Sequence, residues 1–144
     1  MKYQNSITVK VPLQRFVELL DNPENMKYWQ KGLQSYEMLD GEPGAVGSTM
    51  RMNYLQGKRE MSLLETITAN NLPNQFSATY ECKGVWNLVD NHFTETPEGH
   101  TEWVSDSEFK FTGMMRIMSW FMPTSMFKKQ SCQMLEDFKA FAER

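Results

Sequence analysis

Soft metal ligands are scarce in this chain. His92, His100, Cys82 and Cys132 are all it has, and no pair stands at the short spacing a zinc site uses. No metal or cofactor is expected. Two isolated thiols also make no disulfide framework and fit a reducing compartment. Positive charge is short as well: 15 Lys and Arg against 18 Asp and Glu leave a net charge of −3. With no basic stripe to neutralise phosphates, nucleic acid is not an expected partner. Long apolar runs are missing. The most apolar stretch, Met114 to Met122, is interrupted by Ser119 and is far shorter than the roughly 20 residues of a membrane-spanning helix. Met1-Lys2-Tyr3-Gln4-Asn5 lacks the apolar run of a signal peptide. These absences predict a cytoplasmic protein without integral membrane association. Nothing such as a nucleophile elbow marks a Ser-His-Asp or Cys-His site, so no catalytic residue is assigned.

What the chain does have is alternation. Its 144 residues are enough for one domain, 1–144, with a real core. Tyr3, Ile7, Val9 and Val11 alternate with polar residues in an opening strand that Pro12 stops. Phe16, Val17, Leu19 and Leu20 then make the apolar side of a short helix. Asp21-Asn22-Pro23 restarts a second one, carrying Met26 and Trp29. From Leu33 the period is two. Met50, Met52 and Tyr54 share one face, as do Met61, Leu63, Glu65 and Ile67, and then Phe76, Ala78, Tyr80 and Cys82. Turn clusters at Asp40–Gly44, Gln56–Lys58, Asn70–Asn74, Gly84 and Pro97–Gly99 separate the strands. No crossover helix fits into gaps this short, so the sheet is antiparallel.

The strand Thr101–Phe111 divides most clearly. Trp103, Ser105, Ser107, Phe109 and Phe111 lie on one face and Glu102, Asp106, Glu108 and Lys110 on the other; the charged set belongs in water. In Val85–Thr94, burying Asn87 and Asn91 costs less than burying Asp90, so the amides are placed inside, near Ser105 and Ser107. A one-residue slip of register reverses that choice. Beyond Pro123, Phe127, Ser131, Met134, Phe138 and Phe141 form the apolar stripe of a closing helix. A curved sheet with one terminal helix leaves room for a hollow between them.

On these residues the chain resembles the START-like (SRPBCC) superfamily, the helix-grip group that includes the polyketide cyclase/dehydrase and lipid-transport families. The likeness spans essentially the whole chain. It is carried by the opening strand with Pro12 and Phe16-Val17, and by Leu20-Asp21-Asn22-Pro23-Glu24-Asn25 leading to Trp29. Gly44-Ala45-Val46-Gly47-Ser48, Glu65-Thr66-Ile67 with Asn71-Leu72-Pro73, and the Lys128–Phe141 helix complete it. The resemblance implies an α+β helix-grip fold: two short helices after strand 1, and a seven-stranded curved antiparallel sheet wrapped around a long C-terminal helix. Members bind lipids, sterols, polyketides or plant hormones; some catalyse cyclisation, and others serve chaperones or toxin immunity. A shared fold does not settle which.

The reading that results is a non-catalytic binder of a small hydrophobic or amphipathic molecule, a monomer or homodimer. Its expected cavity lining is Met50, Met52, Tyr54, Met61, Leu63, Glu65, Phe76, Tyr80, Asn87, Asn91, Trp103, Ser105, Ser107, Phe109, Met118, Met134 and Phe138. The 12 methionines suit either an adaptable pocket or an irregular core. Glu65 is either a polar anchor in the cavity or a carboxylate paired with a Lys or Arg. The rival is a cyclase/hydratase-type enzyme using Glu65, Tyr54, Tyr80 and Asn87 on an enolic, polyketide-like substrate. A third class is a chaperone-associated module acting through Met114–Met122. That segment is apolar on nearly every side, as core, lid or partner surface. With Arg116 its only base, an anionic membrane is its least expected partner.

Overall fold

A computed structural model describes residues 1–144. The alternation read from the chain becomes seven strands: β1 (Lys2–Val9), β2 (Leu33–Asp40), β3 (Thr49–Gln56), β4 (Arg59–Asn71), β5 (Gln75–Cys82), β6 (Val85–Glu95) and β7 (Thr101–Phe111). They pair antiparallel throughout in the order β1-β7-β6-β5-β4-β3-β2, so every neighbour after β1–β7 is a hairpin. Four helices accompany them: α1 (Leu13–Leu20), α2 (Met26–Trp29), α3 (Met114–Ser119) and α4 (Thr124–Ala142). A 3-10 turn, Pro23–Asn25, leads into α2; the Asn22 side chain caps it by accepting from the Glu24 amide at 3.1 Å. This is the α+β helix-grip fold.

β1 is shorter than its alternation predicts. It ends at Val9 because the chain tightens there, the Val11 amide donating back to the Val9 carbonyl at 2.8 Å. The outer face of the sheet also departs from a simple wet surface. Ser77 and Thr79 are buried there, and the Thr68 hydroxyl donates to that of Ser77 at 2.9 Å.

α4 lies along β1. Its C-terminal end is tied down by Lys139, which donates to the Thr8 carbonyl, and by Glu143, which accepts from the Lys10 amide. Nearer its start, Asn5 donates to the Lys128 carbonyl at 3.2 Å and the Tyr3 hydroxyl meets that of Ser131. Its close backbone approaches are to β1 and α2. Its backbone approaches β4–β6 far less than it approaches β1.

The consequence is a two-ended interior. Where β7 begins, α1 and α2 close the space with Val9, Phe16, Leu19, Met26, Trp29, Phe93, Trp103, Leu135 and Phe138, all buried. Where β7 ends, Phe109, Phe111, Phe127 and Met134 face the same interior and keep accessible surface.

Candidate functional site

Antiparallel register turns single residues into rows. Met50, Glu65, Tyr80, Asn87 and Phe109 are successive cross-strand partners on β3, β4, β5, β6 and β7. All five project inward, because each shares a period-two face with sealed core residues such as Met52, Ile67, Ala78, Phe93 and Trp103. A polar segment, Glu65-Tyr80-Asn87, thus crosses the concave face between a methionine and a phenylalanine. The next row, Ile67, Ala78, Val89 and Ser107, carries one hydroxyl.

Glu65 has no Lys, Arg or His within ion-pair distance; every ion pair of the molecule is made by other residues. Burial therefore raises its pKa above the ordinary carboxyl value, and the neighbouring Tyr80 hydroxyl offsets part of that rise. The Tyr80 phenol is held protonated far above neutrality, first by burial and then by the Glu65 carboxylate. Tyr54, two inward positions along β3 from Met50, is raised by the same two causes and donates to Gln30. Glu65 and Tyr80 lie deep inside the protein and still expose part of their surface. Asn87 spends its amide N–H on the Glu108 carbonyl at 3.1 Å, leaving its side-chain oxygen without a protein donor. The row thus presents a carboxyl, a phenolic O–H and an amide oxygen to whatever occupies the space.

The other expected lining residues divide. Leu63, Phe76, Tyr54, Met61, Phe109 and Met134 are half-buried and face inward. Met50, Met52, Trp103, Ser105, Ser107 and Phe138 are buried; the four apolar ones belong to the packed core, where Trp103 and Phe138 meet edge to face at 5.5 Å. Asn91 faces Ser105 across the ladder, as the inward placement of that strand requires, but its amide is fully committed. It donates to the Phe76 carbonyl and accepts from the Trp103 indole N–H at 2.9 Å. Met118 is set apart: it is 51 % exposed on α3, among other outward apolar residues. Three half-buried residues were missed: Tyr3, whose ring faces Phe109, together with Phe111 and Phe127. The alternation of β7 and the stripe of α4 already held the signal for the last two.

Two surface clefts lie outside this row. One, about 450 Å³, runs past Tyr54, Met61, Gln34 and Glu60 beside the β3–β4 hairpin. The other, about 300 Å³, lies between α2 and the end of α4, where Tyr28 stacks on Phe141. No three His, Cys, Asp or Glu side chains gather closely enough to hold a metal ion. No helix is long and apolar enough to cross a membrane.

A helix-grip domain with a polar row set in an apolar wall is a recognisable class of protein. The chain belongs to the polyketide cyclase/dehydrase and lipid-transport family, whose profile matches residues 1–143, within the START-like superfamily. Solved structures agree on the fold. The chain is similar to Ara h 8.0201, with a TM-score of 0.78, 14 % identity, and 99 % of this chain and 97 % of that one covered. It is also similar to major latex-like protein 151 of Panax ginseng, with a TM-score of 0.76, 14 % identity and 100 % and 98 % covered. A protein of Thermus thermophilus gives a TM-score of 0.76 at 14 % identity, with 99 % and 97 % covered. No curated protein sequence matches the chain. The family supports hydrophobic-ligand binding in general terms.

Proposed function

We infer that the hollow between β4–β6 and α4 binds a small hydrophobic or amphipathic molecule, of lipid or polyketide type, without transforming it. One observation carries this reading: a Glu65 carboxyl without a cation, the Tyr80 phenol beside it and the free Asn87 side-chain oxygen stand in a single row of an otherwise apolar, partly accessible wall. The Tyr80 phenol, the Glu65 carboxyl whose ionisation burial disfavours, and the free Asn87 oxygen lie side by side, which suits anchoring a ligand carbonyl or hydroxyl. The apolar tail then lies along Leu63, Phe109, Phe127 and Met134. In this reading the whole chain acts as one cytoplasmic domain, monomeric or homodimeric, with no cofactor, metal or nucleic acid.

The cyclase/hydratase reading keeps one specific support, the adjacency of Glu65 to Tyr80, since a protonated carboxyl beside a phenol could also feed a proton to an enol. Native mass spectrometry of protein from its own source separates the outcomes. An unchanged apolar molecule retained and displaced by fatty acid supports binding; a retained cyclised or dehydrated product supports the enzyme. No retained mass, together with no quenching of tryptophan emission across a lipid and polyketide panel, removes both.

A further inference from the structure

The apolar residues of the β7–α4 connection point outward. Met114 is 75 % exposed, Trp120 72 % and Phe121 82 %, with Ile117 and Met118 half exposed beside them. No other part of the molecule exposes large apolar side chains so densely. The segment is nevertheless seated: the Thr112 amide donates to the Gly84 carbonyl at 3.0 Å, and Met115 packs over Gly84 so closely that a Cβ there would lie 2.8 Å from its Cγ. α3 therefore stands at the rim where β7 ends, beside the open end of the hollow.

Charge is concentrated at the same rim. From Phe109 to Leu135 the chain has Lys110, Arg116, Lys128 and Lys129 and not one Asp or Glu, although the protein carries −3 overall. The hairpin turns at this end add Lys58, Arg59 and Lys83. The acids near them are Glu60, Glu81 and Glu108; Glu108 pairs with Lys2 at 3.2 Å and with Lys110 at 3.8 Å, so one acid is shared by two bases. Arg116 alone is a weak attraction for an anionic surface; gathered with the bases of three neighbouring elements, it is part of a positive collar around an apolar tip.

We propose that this rim docks on an anionic lipid bilayer, Trp120, Phe121, Met114 and Met118 entering the headgroup boundary while the surrounding lysines and arginines meet the lipid charge. The chemistry is that of a peripheral, interfacial segment: apolar area gives depth, and each base near the surface adds attraction that salt screens. Docking there points the open end of the hollow at the membrane, so an apolar ligand passes between bilayer and protein without crossing water.

Sedimentation with vesicles tests this, comparing phosphatidylcholine alone with phosphatidylcholine containing phosphatidylserine. The full chain should bind the second strongly and the first weakly, release as salt is raised, and shift Trp emission to the blue. Trp29 and Trp103 are buried and Trp86 half-buried, so that shift reports Trp120. Trp120→Ala/Phe121→Ala should lose about tenfold or more in affinity, and Lys128→Glu/Lys129→Glu about fivefold per base. Both should melt as the parent does and keep whatever soluble ligand the hollow takes, so docking and ligand binding fail separately. Three results overturn the proposal: equal binding to both vesicles or to neither, variants that bind as the parent does, or a dimer in solution that Trp120→Ala/Phe121→Ala dissociates.

Discussion

Two aromatic clusters occupy opposite ends of the same sheet. At one, Phe16 lies 5.1 Å from Phe93, 5.7 Å from Trp103 and 5.0 Å from Phe138, and every ring is buried. At the other, Phe109 lies 5.1 Å from Phe127 and 5.9 Å from Phe111, ring distances of the same size, and all three keep accessible surface. The rings make comparable contacts with each other, so pairwise packing does not distinguish the ends. Coverage does. α4 spans both; α1 and α2 add a further cover over the first cluster, and the second has α4 with the short α3 at its edge. One end holds the fold together and leaves the other free to stay partly open, which is where the polar row and the basic rim are found.

Substitution should separate the two ends by size of effect. Phe138→Ala empties a fully enclosed site among Phe16, Trp29 and Trp103 and should cost about 3–5 kcal/mol. Phe127→Ala, at a site that solvent or ligand can refill, should cost about 1–2 kcal/mol. Urea denaturation of both measures the contrast; equal losses would mean the second end is sealed in solution. Only the Phe127 variant should show a changed response to an apolar dye.

The seat of α3 gives the next effect. Gly84 has φ +79°, and a side chain there would press on Met115 and on the Thr112 carbonyl. Gly84→Ala should therefore cost about 1–2 kcal/mol through backbone strain and the displaced methionine. If the open end depends on α3 for its shape, the same change should alter vesicle binding and ligand retention more than it alters the melting of the core.

How much of this was legible beforehand follows from period and register. The face of Glu65, Tyr80 and Asn87 could be read, because alternation and the cost of burying Asp90 assign inside and outside strand by strand. Their meeting in one row could not. It depends on the register of β4 on β5, which shifts at a bulge between Ile67 and Ala69, and on the two-residue turn at Gly84, which sets how β5 and β6 slide past each other. Nor could Trp103 be told from Phe109. They are interior aromatics on one strand, and only the placement of α1, a tertiary event, buries the first and spares the second. Met118 marks the opposite limit: a short segment that is apolar all round has no period to say which side faces water.

The smallest effect is the most diagnostic of the row itself. Glu65 has a raised pKa because burial disfavours its charged form and no cation answers it. The folded state thus holds its proton more tightly than the unfolded chain, whose carboxyl titrates near 4.3. The stability this gives is fully present below that unfolded value and is lost as pH rises through the folded one. Glu65→Gln keeps the shape and removes the titration. It should match the parent at acid pH and exceed it modestly at neutral pH, with the difference opening across the interval between the two pKa values. A carboxylate paired with a Lys or Arg would give the opposite slope, and the Gln variant would then be the weaker protein at neutral pH. Denaturation midpoints of the two proteins across pH read the sign, and NMR titration of the Glu65 carboxyl reads its pKa. A value at or below about 4.3 would remove Glu65 from the row that recognises the ligand and leave Tyr80 and Asn87 to do it.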